Sequence, residues 1–240
     1  EALQLQAVIY RNMNNAGRET DVLKSILSFD PLNHFSRFEK YLLKSDEESR
    51  NQFVSLVRNE LPQETFIELA VWYYNSGCPA EAEKVFSLSP QNAETIYWLS
   101  FLQHKKVNCS EINPAFAFPF RSETGALLEQ LLSGQQDWLL KYHLALIYKD
   151  RNRISESVSL LMSCGDTPDF APFYVSRAEI LSGKNDSQCE SDLKKALSID
   201  NGWRYQLRLA NFYLNQRQYD KSLAIVEPYY KQHPDNFVIG

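Results

Sequence analysis

A recurring spacing of small and aromatic residues is the feature that most constrains how this chain can fold. In the last copy, Ala210 and Tyr213 lie three residues apart, and Tyr219, Ser222 and Pro234 follow at fixed distances. Small residues that face one another let two antiparallel helices approach closely, larger side chains fill the flanking space, and proline ends the second helix. The spacing therefore predicts a helical hairpin.

The same spacing recurs along the chain, so the hairpin is predicted to repeat. The first small residue of the spacing, equivalent to Ala210, is found in the other copies at Ala7, Ala70, Ser100, Ala145 and Ala178. Apolar residues recur at intervals of three and four residues around several of these positions, as an amphipathic helix requires. The 63 residues between Ala7 and Ala70 leave room for one weaker copy. We place the first helix of that copy near residues 33–43.

Counted with Ala210 as position 8, the last copy carries a small residue at positions 8 and 20, Tyr at 11 and Pro at 32. Together with the aromatic residue at position 17, this pattern resembles the tetratricopeptide repeat. The resemblance implies an all-α fold, namely a right-handed α-α superhelix of about seven helical pairs that spans residues 1–240 as a single solenoid. An ordinary helical bundle is the alternative.

Three segments narrow this resemblance, namely residues 115–121, 142–148 and 164–174. Together they are similar to the C-terminal tetratricopeptide region of large bacterial proteins whose N-terminal part carries a β-rich domain of unknown function. That resemblance implies a fold and no particular activity. The chain starts at Glu1 without a Met and ends just after the apolar residues 237–239. We therefore expect both ends to have been cut from a longer polypeptide.

Residues 107–121 interrupt the repeat with a non-periodic insertion. Its notable residues are two prolines and three phenylalanines, namely Pro114, Phe116, Phe118, Pro119 and Phe120. A long connection of this kind is unusual in a compact domain. One interpretation is a loop whose rings cover exposed core. The other is an aromatic segment that contacts a partner or another domain of the same chain. A helix is predicted to resume at residues 123–132.

Helix starts are predicted from residues that accept hydrogen bonds from free backbone N–H groups. Asp46, Ser122 and Asp186 each precede an apolar run and are predicted N-caps. Asp166 and Asp169 are likewise predicted to cap the helix that follows them, because the N-terminal end of a helix favours negative charge.

The overall charge and the cysteines limit the partners and the compartment. The net charge is −5, and the densest basic stretches are pairs such as Lys105-Lys106, so we expect no nucleic-acid partner. No run of about 18 apolar residues predicts a membrane span.

The four cysteines are far apart and predicted to be buried thiols, which favours the cytoplasm. The periplasm remains an alternative, and we expect a monomer.

Catalytic, cofactor and metal sites are not predicted. His34, His104, His143 and His233 are isolated in the sequence, and we expect each to be a surface or groove histidine. Cys164 lies close to two aspartates, whose negative charge disfavours a reactive thiolate. Phosphate-binding and nucleophile-elbow motifs are missing from the sequence. The sequence therefore does not indicate an enzyme.

The first helices of tetratricopeptide hairpins line a concave surface, which the resemblance makes the expected site of protein binding. The residues that the register places there are Tyr74, Asn75, Trp98, Phe101, Tyr142, His143, Glu179, Arg204, Arg208, Asn211 and Asn215. We predict a scaffold that binds a protein segment, or a domain of its own longer chain, on this face. The alternative is an accessory region of a multidomain enzyme, possibly carbohydrate-active, whose catalytic part lies outside the chain.

Overall fold

The structure, a computed structural model, describes residues 1–235, so the apolar residues 237–239 lie outside the described part. Residues 1–235 contain fourteen α-helices, two short 3-10 turns and no β-strand. The predicted all-α class is confirmed, and fourteen is the number of helices that seven pairs require. The chain divides into two compact units, the first Glu1–Asn108 and the second starting at Cys109.

The first unit is formed by seven helices: α1 Ala2–Asn12, α2 Ala16–Phe29, α3 His34–Lys44, α4 Glu47–Val54, α5 Pro62–Asn75, α6 Pro79–Leu88 and α7 Ala93–Leu102. Helices that follow one another in sequence pack together from α1 to α4 and again from α5 to α7. The helix predicted near residues 33–43 is α3. Its N-cap is Asn33, whose side chain accepts a hydrogen bond from the Ser36 N–H at 3.0 Å.

The second unit starts with two 3-10 turns, Cys109–Glu111 and Pro114–Phe116, within the predicted insertion. Its helices are α8 Ser122–Gly134, α9 Trp138–Asp150, α10 Ile154–Ser163, α11 Ala171–Leu181, α12 Asp186–Ile199, α13 Trp203–Asn215 and α14 Tyr219–Gln232. Each of these helices packs against the next one along the chain. This neighbour-to-neighbour packing is the arrangement that repeat proteins use.

The turns between paired helices share one backbone hydrogen bond, which is accepted by the residue at position 11. The carbonyl oxygen of the position-11 Tyr accepts from the backbone N–H five residues later at 2.8–2.9 Å. The acceptors are Tyr10, Tyr73, Tyr148 and Tyr213, and the donors are Asn15, Cys78, Arg153 and Gln218. The residue before each donor has a positive φ, as a Schellman-type helix end requires.

The small residue at position 20 also has a repeated role. Ser157 Oγ donates to the Ala145 carbonyl oxygen at 2.7 Å, and Ser222 Oγ donates to the Ala210 carbonyl oxygen at 3.0 Å. In the hairpin between these two, Cys189 stands one position earlier, at position 19, and its thiol lies 3.2 Å from the Ala178 oxygen. A short polar side chain on the second helix therefore satisfies a backbone carbonyl of the first helix.

The predicted helix starts are confirmed only in part. Asp46 caps α4, because its side chain accepts from the Ser49 N–H at 2.7 Å. The predictions for Ser122 and Asp186 were wrong by one residue, since each is the first residue inside its helix. The cap of α12 is Asn185, whose amide oxygen accepts from the Gln188 N–H.

Three of the four cysteines and the alanines at position 8 are buried, as predicted. All four cysteines are free, and Cys78, Cys164 and Cys189 are buried. Ala70 and Ala82 are completely enclosed, which lets α5 and α6 approach closely. Cys109 is half-buried beside Asp137, and burial raises the pKa of its thiol to about 12.

Candidate functional site

The second unit has a groove with a volume of about 690 Å³ between helices α9, α11 and α13, which we call the α9–α11–α13 groove. Its walls combine apolar, aromatic and polar side chains: Phe118, Tyr142, Leu146, Pro172, Val175, Ser176, Glu179, Trp203, Arg204, Tyr205, Leu207, Arg208 and Asn211. The three helices are the first members of successive hairpins. Residues at equivalent register positions therefore point to the same side, and five of the predicted residues meet here.

Tyr142 forms part of the floor of the groove. Its ring packs against Phe170 and Phe173 at centroid distances of 6.0 and 5.6 Å, and its hydroxyl lies 3.4 Å from Ser176 Oγ. Only 4% of the residue is exposed, and burial raises the pKa of the phenol. Tyr142 therefore offers a partner a small neutral surface and mainly supports the groove from below.

Glu179 connects the three helices by ion pairs. Its two carboxylate oxygens accept from Lys149 Nζ on α9 at 3.0 Å and from Arg208 Nη1 on α13 at 2.8 Å. Both pairs are partly exposed, so each contributes little to stability. Because both Glu179 oxygens are bonded to Lys149 and Arg208, Glu179 does not neutralise the charge of Arg204.

Arg204 is exposed and is the guanidinium best placed for a partner. Its Cζ lies 4.6 Å from the centroid of the Trp203 ring, so the side chain is held by a cation–π contact. Among residues 1–235, it makes no ion pair with a carboxylate. A planar guanidinium held on an aromatic ring can donate two parallel hydrogen bonds to a carboxylate.

His143 and Asn215 do not line the groove. His143 was expected at the surface or in the groove, and this expectation was wrong, because the residue is completely buried. Burial lowers the pKa of His143 to about 3, so the imidazole is neutral at physiological pH. Asn215 lies at the exposed C-terminal end of α13. A partner-binding role for either residue stays a prediction.

The other four predicted contact residues lie in the first unit, on α5 and α7. Trp98 is only 1% exposed, since it stacks on Phe86 at 5.5 Å and meets Tyr74 edge-on at 5.2 Å. Phe101 packs against Tyr74 at 6.0 Å, and Asn75 is exposed. The register predicted for this copy was wrong, because Ser100 makes the turn hydrogen bond of position 11, accepting from the Lys105 N–H at 2.8 Å, and not of position 8. Packing also leaves almost none of the Trp98 ring available to a partner.

The insertion presents its phenylalanines outward. Phe116, Phe118 and Phe120 are 83%, 74% and 52% exposed, while Ala117 and Pro119 between them are buried. The interpretation that the rings cover exposed core was therefore wrong. The alternation is that of an extended strand-like segment, in which neighbouring side chains point to opposite sides. Phe118 reaches the α9–α11–α13 groove.

A buried ion pair in the second unit was missed by the sequence reasoning. Arg177 donates from Nε and Nη2 to the two Asp192 oxygens at 2.9 and 2.7 Å, and from Nη1 to the Gly165 oxygen at 2.7 Å. Asp166, which we predicted as a helix cap, instead accepts from Arg177 at 3.3 Å. Asp169 does not cap α11 either, since that helix has no side-chain cap. A separation of fifteen residues between the ion-pair partners carries no pattern that a sequence could reveal.

The first unit contains a second missed cluster, of acidic residues. Glu19 and Glu39 are 1% and 0% exposed. Tyr73 donates to Glu39 at 2.6 Å, and Arg11 forms ion pairs with Glu39, at 3.0 Å, and with Glu81. Burial, together with the nearby Glu39, raises the pKa of Glu19 to about 7. The enclosure of both carboxyl groups makes this a structural cluster that a substrate cannot reach.

A smaller groove of about 480 Å³ lies at the N-terminal ends of α3 and α5. Asp30, His34, Glu68 and Trp72 contribute to its walls. Burial lowers the pKa of His34. The described residues contain no group of three or more His, Cys, Asp or Glu side chains that could hold a metal ion. No helix within residues 1–235 has the length and apolar character needed to cross a bilayer.

Comparison with known proteins finds distant structural similarity. Neither a protein-family model nor a curated relative matches the sequence. MamA from Desulfovibrio magneticus RS-1, solved from residue 41 to its end, is similar over 73% of this chain and 97% of its own, with 10% identity and a TM-score of 0.45.

Two further solved structures are similar to this chain at the same level. The thermophilic TPR protein TTC0263 from Thermus thermophilus is 19% identical over 74% of this chain and 94% of its own, with a TM-score of 0.42. A chain of the APC/C hetero-tetramer Cut9–Hcn1 is 10% identical, with a TM-score of 0.43. It covers all of this chain and 47% of its own length.

The chain's own repeated contacts carry the fold assignment. In the second unit, the side chains of Ser157 and Ser222 at position 20 donate to the carbonyls at position 8. In both units, the carbonyl at position 11 accepts the hydrogen bond that closes the turn. These are the positions that the recurring spacing marks in the sequence. Residues 1–235 therefore form an all-helical fold of repeated hairpins, whose spacing resembles that of the tetratricopeptide repeat.

Proposed function

We propose that this chain is a non-catalytic scaffold that binds an extended protein segment in the α9–α11–α13 groove. The segment belongs to another protein or to another domain of the same polypeptide. The proposal rests on one observation: five residues line the same groove, namely Tyr142, Glu179, Arg204, Arg208 and Asn211. Each was expected on the binding face from its register position alone.

The composition of the groove supports this proposal. Aromatic residues and arginine are the side chains most enriched where proteins bind each other tightly, and Trp203, Arg204 and Tyr205 lie side by side here. A volume of about 690 Å³ accommodates several side chains of an extended segment. The exposed ring of Phe118 adds apolar surface at its edge.

The ionisable groups of the groove favour binding over catalysis. Burial raises the pKa of both Tyr142 and Tyr205, so these phenols stay protonated at neutral pH. The Glu179 carboxylate is held between two cations, which disfavours proton abstraction. A nucleophile with an adjacent base is not among the lining residues. The alternative role, as accessory region of an enzyme, concerns sequence outside this chain.

Peptide display on the immobilised chain tests the proposal. We expect enriched peptides whose binding, measured by fluorescence anisotropy, weakens about tenfold in the variant Tyr205→Ser. Tyr205 is half-buried, so circular dichroism should verify that the variant is folded. Lys195→Gln on α12, outside the groove, is the matched control and should leave binding unchanged. Failure to enrich any peptide, or binding that Tyr205→Ser leaves intact, would overturn the proposal.

A further inference from the structure

The α9–α11–α13 groove continues into a second, smaller cavity of about 310 Å³. Four residues line both, namely Phe118, Tyr142, Pro172 and Tyr205. These shared residues form an apolar and aromatic saddle. A segment that lies in one cavity can therefore pass over the saddle into the other.

The two cavities differ in charge. The larger is lined by Arg204, Arg208 and Glu179, and the Glu179 charge is already offset by Lys149 and Arg208. The charged residues of the smaller are both acidic, namely Asp169 and Asp200. The groove therefore has a basic end and an acidic end.

The charges at the two ends are available to a ligand to different degrees. Arg204 lies over the Trp203 ring and makes no ion pair within residues 1–235. Asp169 is exposed and caps no helix, whereas Asp200 Oδ1 accepts from the Gly202 N–H at 2.8 Å. Arg204 lines the larger cavity, Asp169 lines the smaller one, and Tyr205 on the saddle lines both. One short segment that passes over the saddle can therefore contact both charges.

Resting on the proposed function, we infer that the groove selects segments with a fixed order of side chains. An acidic side chain lies at Arg204, an aromatic or large aliphatic side chain lies on the saddle, and a basic side chain lies at Asp169. Charge complementarity of this kind mainly sets the register and selects among partners, while the apolar contact supplies most of the affinity.

Synthetic peptides with two aspartates at one end, a central Phe and two lysines at the other test this inference. Both chain directions are made, because the side-chain order does not specify the direction of the backbone. The tighter binder is then compared with versions in which the aspartates, the lysines, or both are replaced by Ser. Affinity is measured by fluorescence anisotropy at low and at high salt.

Thermodynamic cycles between protein and peptide variants give the decisive result. We expect Arg204→Gln to weaken binding about three- to fivefold only when the peptide has its aspartates, and Asp169→Asn to do so only when it has its lysines. High salt should reduce both effects. Lys195→Gln and Asp220→Asn, away from the groove, are matched controls that should couple to neither charge.

The outcomes separate this inference from the proposed function. If Arg204→Gln weakens every peptide equally, or if Asp169→Asn couples to the aspartates, the charge order is wrong. The proposed function then stands provided that the Ser-substituted Phe peptide still binds and Tyr205→Ser removes that binding. If no peptide, charged or neutral, binds the chain more tightly than it binds the Tyr205→Ser variant, both are overturned.

Discussion

Arg177 and Asp192 form a two-pronged ion pair inside the α11–α12 hairpin. The Arg177 guanidinium also packs between the rings of Phe173 and Tyr174, at 5.2 and 5.3 Å from their centroids. Both charged side chains are almost fully buried, at 2% and 1% exposure. Such a pair adds little when complete, but its loss is costly because one charge is left without a partner. It therefore ties α11 to α12 and to the turn at Gly165.

Breaking this pair should destabilise the chain strongly. We expect Arg177→Met alone to lower the free energy of unfolding by about 3–5 kcal/mol, because Asp192 stays buried without its cation. The double variant Arg177→Met with Asp192→Leu should recover most of that loss. Urea unfolding followed by circular dichroism measures both. Equal destabilisation by the single and the double variant would contradict the explanation.

The buried acid cluster of the first unit should make stability depend on pH. The pKa of Glu19 is about 7 in the folded chain and has an ordinary value of 4.5. The folded state therefore binds more protons than the unfolded state between these values, and the stabilisation decreases as pH rises through that window. We expect the Glu19 contribution to fall by about 3 kcal/mol from pH 4.5 to pH 8.

The variant Glu19→Gln isolates this effect, since its amide stays neutral and can still donate to Glu39. Urea unfolding of wild type and variant at several pH values gives the difference between them. The wild type should lose more stability than the variant as pH rises. Parallel curves would show that Glu19 does not take up a proton on folding. Glu48→Gln, on an exposed face of α4, is the matched control.

The hairpin turns allow a substitution that increases stability. Arg217 has a φ of 58°, in the left-handed region that costs a residue with a Cβ about 1 kcal/mol. We expect Arg217→Gly to raise the free energy of unfolding by up to about 1 kcal/mol. The reverse change, Gly77→Ala at a φ of 76°, should lower it by a similar amount, although open space surrounds the site. Thermal unfolding measures both changes. If the two substitutions shift the free energy of unfolding in the same direction, the explanation by backbone conformation is wrong.

Tyr142 should act mainly through its ring. Its hydroxyl makes only a long contact with Ser176, so we expect Tyr142→Phe to change the free energy of unfolding by less than about 1 kcal/mol. Tyr142→Ala removes a buried ring and should cost about 3–5 kcal/mol. Chemical denaturation distinguishes the two. A large effect of Tyr142→Phe would mean that the hydroxyl carries the stabilisation. For the same reason, Tyr142→Ala is unsuitable for testing binding.

The sequence by itself determined the hairpins and, except in the copy at Ser100, their register. The position of α3 and the pairing of Ala145 with Ser157 depend on contacts between residues close in the chain. Helical periodicity and turn geometry act over these short separations, so a local pattern is enough to predict them.

Only the tertiary structure decided which predicted faces remain open. The repeat register places His143 and Arg208 at the same position of their helices, two residues before Ala145 and Ala210, yet the first is enclosed and the second is exposed. It also gives no signal for the outward rings of Phe116, Phe118 and Phe120. Exposure depends on which neighbouring helix or loop covers a side chain. That is set by packing between segments distant in sequence, and not by the period of any one of them.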